Sequence, residues 1–159
     1  MLDEGQKKEL KRYHRTAVFA AGTLILSIFL YGVVAFLGAA SVRDHARLLE
    51  HHRTLMYYAA GALVISSILV KRILLAAKQM IPLRGLTVSD IERLAVRRLR
   101  ALLMSLVLCN AAAVVGLVLY FQGGDITDFY WLGTLGLAGL LLQLPKYREW
   151  ERWTKENIA

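Results

Sequence analysis

The sequence has one cysteine, two prolines and, across its four longest apolar runs, not a single Asp, Glu, Lys, Arg or His. Each absence excludes something. A lone Cys109 rules out an internal disulfide. In its apolar run it reads as a small buried hydrophobe, because a reactive thiol wants an electropositive, partly exposed setting. Runs without titratable groups argue against proton-driven transport and against an embedded catalytic acid or base. Runs without histidine argue against a haem held between facing helices. No H-x-x-x-H or H-E-x-x-H spacing, clustered His/Asp/Cys constellation or phosphate-binding glycine loop occurs, so no catalytic, metal or cofactor residue is expected. His45, His51 and His52 stand near Asp44 and Glu50. His45 and His52 are seven residues apart, about 10 Å along a helix, too far to share a metal without a turn, so a solvated polar loop is expected there.

What is present is apolar and bunched. The 159 residues suggest one domain, and 57% are hydrophobic against about 45–50% in soluble domains. A soluble helix would break each run with polar residues every turn. One of the two longest is Ala101–Gly124, 24 residues without a charge between Arg100 and Asp125. About 20 apolar residues at about 1.5 Å rise cross a bilayer core of about 30 Å, so this reads as a transmembrane helix. Ser105, Cys109, Ala112, Ala113 and Gly116 form a stripe of small residues on it, where another backbone can approach.

Taken in order, the polar segment 1–15 leads into an uncharged run over 17–40. That run is 24 residues long against about 7–15 for a signal peptide, so despite Gly38-Ala39-Ala40 it reads as a retained anchor. A polar connection, 41–53, precedes a shorter span over 54–75, in which Lys71 and Arg72 snorkel to the interface. Pro82 and Gly85 break the chain. Ser89 and Glu92 form a capping-box pattern with Asp90 in the first turn, predicting a third helix from about Asp90 to Phe121 whose first turns (76–97 being the cytoplasmic segment) stand outside the membrane span at 98–122. Gly123-Gly124-Asp125 closes it. The fourth span, 129–144, is stopped by Pro145. In the tail, 145–159, Tyr147, Trp150 and Trp153 share one face, as in an interfacial aromatic anchor or short amphipathic helix.

Seventeen of the 20 Lys and Arg residues fall on one side of this arrangement and three on the other. By the positive-inside rule both termini and the middle segment are expected in the cytoplasm. The net charge of +8 is thereby explained by topology, and no basic-plus-aromatic nucleic-acid motif appears. The expected fold is an all-α, integral-membrane four-helix bundle of two helical hairpins, N-in and C-in, in the inner (plasma) membrane. Laying 17–40 over 101–124 gives identities at Ala17/Ala101, Leu24/Leu108, Gly32/Gly116 and Val34/Val118, which suggests a repeat without demonstrating one.

Asn110 is the one amide at the centre of its span. It reads as interhelical glue, with a ligand or ion contact as the alternative; Thr23, Ser27, Ser66, Ser67, Thr134 and Gln143 are its available partners. Gly133, Gly136 and Gly139 recur every third residue and suggest a close-packing face, within the chain or between copies. Arg93, Arg97, Arg98 and Arg100 crowd one end of the third helix. Together with Trp150 and Trp153 they read as snorkelling residues or as a site for anionic lipid headgroups or an acidic partner.

The stretch Asn110-Ala111-Ala112-Ala113-Val114-Val115-Gly116-Leu117-Val118 resembles the helix of rotary ATPase proteolipids, in which a proton-carrying carboxylate is followed six residues later by Gly-Leu-Val. The resemblance implies a duplicated hairpin. With Asn110 in the place of the carboxylate, it also implies loss of the proton-carrying role. The whole chain is similar to small uncharacterised four-helix bacterial membrane proteins with a Trp-containing tail. The expected function is a non-enzymatic structural, accessory or assembly subunit, in a homo-oligomer or larger complex. The alternative is a small oligomeric channel or transporter with Asn110, Ser105 and Thr134 lining the path.

Overall fold

The computed structural model describes residues 3–38, 50–76, 88–122 and 125–157. The Pro82/Gly85 break, the Gly123-Gly124 turn and most of the first connection, His45 included, lie outside them. Among the described residues there are five helices and no strand: α1 (Glu4–Gly38), α2 (Glu50–Ala76), α3 (Val88–Phe121), α4 (Ile126–Leu142) and α5 (Tyr147–Glu156).

α1 begins 13 residues before the apolar run does. The polar lead is helical because one inward line passes through it: Leu10, Tyr13, Ala17, Ala21, Ile28 and Ala35, spaced 3, 4, 4, 7 and 7 apart, all belong to one core cluster or its margins except Ala35, which joins a second. The amide oxygen of Gln6 accepts from the Asp3 N–H at 2.9 Å, half of a capping box that fixes the start. α3 also starts early. Ser89, read as its N-cap, is already helical, and Glu92 Oε1 accepts the Tyr13 hydroxyl at 2.7 Å, tying α3 to α1.

α4 starts three residues before the apolar run at Phe129 because Asp125 caps it. The Asp125 side chain accepts from the Thr127 N–H at 3.2 Å, and the Asp128 carboxylate accepts from the Asp125 N–H at 3.2 Å. It ends at Leu142; the Gln143 N–H turns back to Leu140 O at 3.1 Å, and Pro145 cannot extend the helix.

Three helices, α1, α2 and α3, are long and apolar enough to cross a membrane. α4, with 17 residues and about 26 Å of length, is apolar but shorter. The helices alternate in direction. Tyr13, His14, Leu74, Glu92, Arg97, Arg98 and Pro145–Trp150 meet at one end, the basic end, while Gly38, Arg53, Phe121 and Asp128 lie toward the other.

α3 and α4 make the central pair. α3 packs on α1, α2 and α4, and α1 and α2 do not touch each other among the described residues. Within its most apolar window α3 is 44% buried, against 17% for α1 and 11% for α2. The core therefore sits around α3, and the flanking helices turn Phe19, Phe29, Phe36, Tyr58, Ile65 and Ile73 outward. Small residues set the spacing. A Cβ on Gly136 would lie 2.7 Å from Cys109 O and one on Gly116 2.8 Å from Leu132 Cβ, so α3 and α4 touch almost backbone to backbone.

Candidate functional site at the basic end

Inside the apolar body Asn110, Ser105 and Cys109 are engaged between helices or with their own backbone, whereas the buried Tyr120 hydroxyl and Gln143 Oε1 have no partner among the described residues. The single Ser27 hydroxyl proton lies between two acceptors, Leu24 O at 2.7 Å and Asn110 Oδ1 at 3.0 Å from its Oγ, and Asn110 Nδ2 reaches the Tyr31 hydroxyl at 3.5 Å. Asn110 thus joins α3 to α1, using one partner read from the sequence and one, Tyr31, that was not. Ser105 is fully buried and donates to Leu102 O at 2.8 Å, whereas Thr134 faces outward. The three residues suggested for a path do not meet within one chain.

Cys109 is buried, but not as a plain hydrophobe. Its Sγ donates to Ser67 Oγ at 3.2 Å, and Gln143 Nε2 donates to Ser67 Oγ at 2.8 Å and to Cys109 Sγ at 3.3 Å. Ser67 and Gln143, read as partners for Asn110, instead join α2, α3 and the end of α4 at this thiol. Gly139 makes room for it, since a Cβ there would lie 2.8 Å from Cys109 Sγ; Gly133 meets only the Phe129 ring of its own helix.

A third knot was missed altogether. The fully buried Asp128 accepts from Arg53 Nε at 3.0 Å, from Arg53 Nη2, and from the Tyr57 hydroxyl at 2.7 Å, clamping α4 to α2. The signal available was the D-x-x-D pattern of Asp125 and Asp128, an N-terminal box placing a carboxylate inside the first turn of a helix.

At the basic end the arginines of α3 are split among three tasks. Arg97 donates to Leu74 O from Nε at 3.1 Å and Nη2 at 2.8 Å, satisfying a carbonyl of the last turn of α2. Arg98 is 9% exposed; its Nη1 donates to Glu149 O at 2.7 Å, and its guanidinium carbon lies 5.4 Å from the Trp150 ring and 5.3 Å from that of Trp153. This cation–π clamp folds α5 back onto α3. Only Arg93 and Arg100 remain exposed, along a shallow groove of about 610 Å³. Of the residues read as headgroup or partner contacts, Trp150 is 2% exposed, buried by its own chain because α5 lies against α1 and α3.

α5 is also fastened to α1. His14 Nε2 faces Pro145 O at 3.1 Å, which requires that nitrogen to carry the proton. Its ring meets those of Tyr147 and Trp150 edge-on, centroids 5.4 and 5.8 Å apart. Burial pushes the Tyr147 phenol above its usual range. On the exposed side of α5 the Lys155 ammonium, 2.8 Å away, holds the Glu151 carboxyl below the usual carboxylate range. The outcome is a platform of α1, α3 and α5 edged with exposed cations. Among the described residues no group of three or more His, Cys, Asp or Glu is placed to hold a metal.

Comparison with protein-family models, with curated proteins and with solved structures returns no match for this chain.

Proposed function

We propose that the chain is a multi-pass protein of the inner membrane, a four-helix bundle with both termini and the 76–97 segment in the cytoplasm. In this reading it acts as a non-enzymatic structural, accessory or assembly subunit through helix packing and its basic surface. The observation that carries the reading is how polarity is distributed. Asn110, Ser27, Ser67, Cys109 and the Gln143 amide nitrogen are bonded helix to helix, while large apolar side chains such as Phe19 at 78% and Tyr58 at 75% exposure face outward. In water such a surface would aggregate, whereas in lipid it is the required one.

The basic end supports the orientation. The lysines and arginines of α1, α3 and α5 cluster where His14, Glu92, Arg98 and Pro145 meet, the distribution expected of a cytoplasmic face. The short α4 fits the same membrane because Asp125 and Asp128 end it at one interface and Gln143 at the other.

Reconstitution tests the reading. Purified protein in liposomes, free of partners, should move no solute or ion with saturation; saturable flux would defeat the proposal. Asn110→Leu separates packing from conduction. It should lower stability in detergent by about 0.6–2 kcal/mol and leave liposome permeability unchanged. Lost flux in a normally assembled variant would favour a pore.

A further inference from the structure

We propose that the groove between α1 and α5 is a binding site for an anionic phospholipid, its phosphate held by Lys7, Lys11 and Arg15 and an acyl chain laid along Val18 and Gly22. The inference rests on the membrane reading above and assigns it a ligand.

The groove encloses about 970 Å³ and is lined by α1 over four turns, with Tyr147 of α5 as its far wall. Lys7, Lys11, Arg15, Val18 and Gly22 advance by 4, 4, 3 and 4 residues, so they form one continuous stripe. Along it the chemistry changes once. The cations end at Arg15 and the groove's apolar lining is Val18 and Phe19; Gly22, next on the stripe, lies just beyond that lining, with nothing within 4 Å of an added Cβ. A headgroup above and a hydrocarbon chain below need that order on one face, at the level where the uncharged run starts.

Three further observations favour a bound anion over a plain solvated surface. Lys7, Lys8, Lys11 and Arg15 face the single carboxylate of Glu4 in this groove. None of the four has an ion-pair partner among the described residues, and the nearby Glu151 is held by Lys155. Like charges four apart on a helix repel, and a phosphate between Lys7, Lys11 and Arg15 relieves that repulsion. The wall is also built rather than incidental. His14 is fastened to Pro145 O and stands edge-on to Tyr147 and Trp150, and Arg98 pins α5 from the other side. The groove of Arg93 and Arg100 is smaller, contains Glu92, and has its Arg97 committed to Leu74 O, so it is the weaker candidate.

The test uses the full chain in nanodiscs of phosphatidylcholine with and without phosphatidylglycerol, followed by detergent extraction and native mass spectrometry of the retained lipid. The wild type should carry one phosphatidylglycerol in preference to phosphatidylcholine. The triple variant Lys7→Gln, Lys11→Gln, Arg15→Gln, altered only at exposed positions outside the buried stripe, should lose that preference about tenfold or more. Arg93→Gln with Arg100→Gln should keep it. Gly22→Phe, which fills open space, should reduce retention without lowering thermal stability. Equal losses in the triple and double variants would overturn the proposal in favour of diffuse surface attraction. Equal competition by glycerol phosphate, which has no chains, would overturn it in favour of a free-anion site. A chain that leaves the membrane in alkaline carbonate overturns both readings, whereas one that stays embedded without lipid preference overturns this inference alone.

Discussion

Asp128 is the residue on which the end opposite the basic one turns. It is an acid with a fully buried side chain, carrying an arginine, a tyrosine and a backbone N–H at the first turn of α4. Arg53 is half exposed, so the two sides of the pair are unequal. Asp128→Asn leaves the arginine free to turn to solvent or headgroups, and should cost about 1–3 kcal/mol of stability. Arg53→Met strands a buried carboxylate and should cost more, about 3–5 kcal/mol. Unfolding in detergent micelles checks the order; equal, negligible losses would show that the knot does not hold α4 to α2. This pair was not legible in the sequence. Its members are 75 residues apart, and placing the fourth span at Phe129 put Asp128 one residue outside it. Asn110 was legible as a polar group needing a partner, but which hydroxyl it meets depends on how α1 turns toward α3.

At the scale of elements, the helices announce themselves where charge is absent for a full span, and hide where it is not. The first three turns of α1 were hidden because their lysines mask an inward line of Leu10 and Tyr13, readable only once Ala17, Ala21 and Ile28 extend it. The face of Tyr147, Trp150 and Trp153 was visible as a stripe, yet a stripe suits lipid and protein equally. The turn at Gln143–Lys146 and the buried Arg98 set Trp150 against protein, while Tyr147 and Trp153 stay half-buried. The glycines of α4 show where element contact is tightest. Gly136→Ala drives a methyl against the Cys109 carbonyl, which cannot move aside without shifting α3, and should destabilise by about 1–3 kcal/mol. Gly61→Ala on α2, where nothing lies within 4 Å, should be neutral or gain up to about 1 kcal/mol. Thermal unfolding of the two variants makes the comparison; equal effects would mean that α3 and α4 are not in close contact.

For the whole molecule, an apolar girdle, a basic end and an interior in which Asn110, Ser67, Gln143 and Asp128 join helix to helix form one consistent pattern. That pattern is consistent with lipid as the surroundings. The most direct test is the sidedness of the two ends. In a Cys109→Ser background, single substitutions Lys8→Cys and Arg152→Cys mark the basic end, and Gln122→Cys and Thr127→Cys mark the other. Treated with a membrane-impermeant maleimide in intact cells, Gln122→Cys and Thr127→Cys should label at once, and Lys8→Cys and Arg152→Cys only after permeabilisation. Labelling of the basic end from outside, or of all four positions in protein that stays soluble without detergent, would contradict the account.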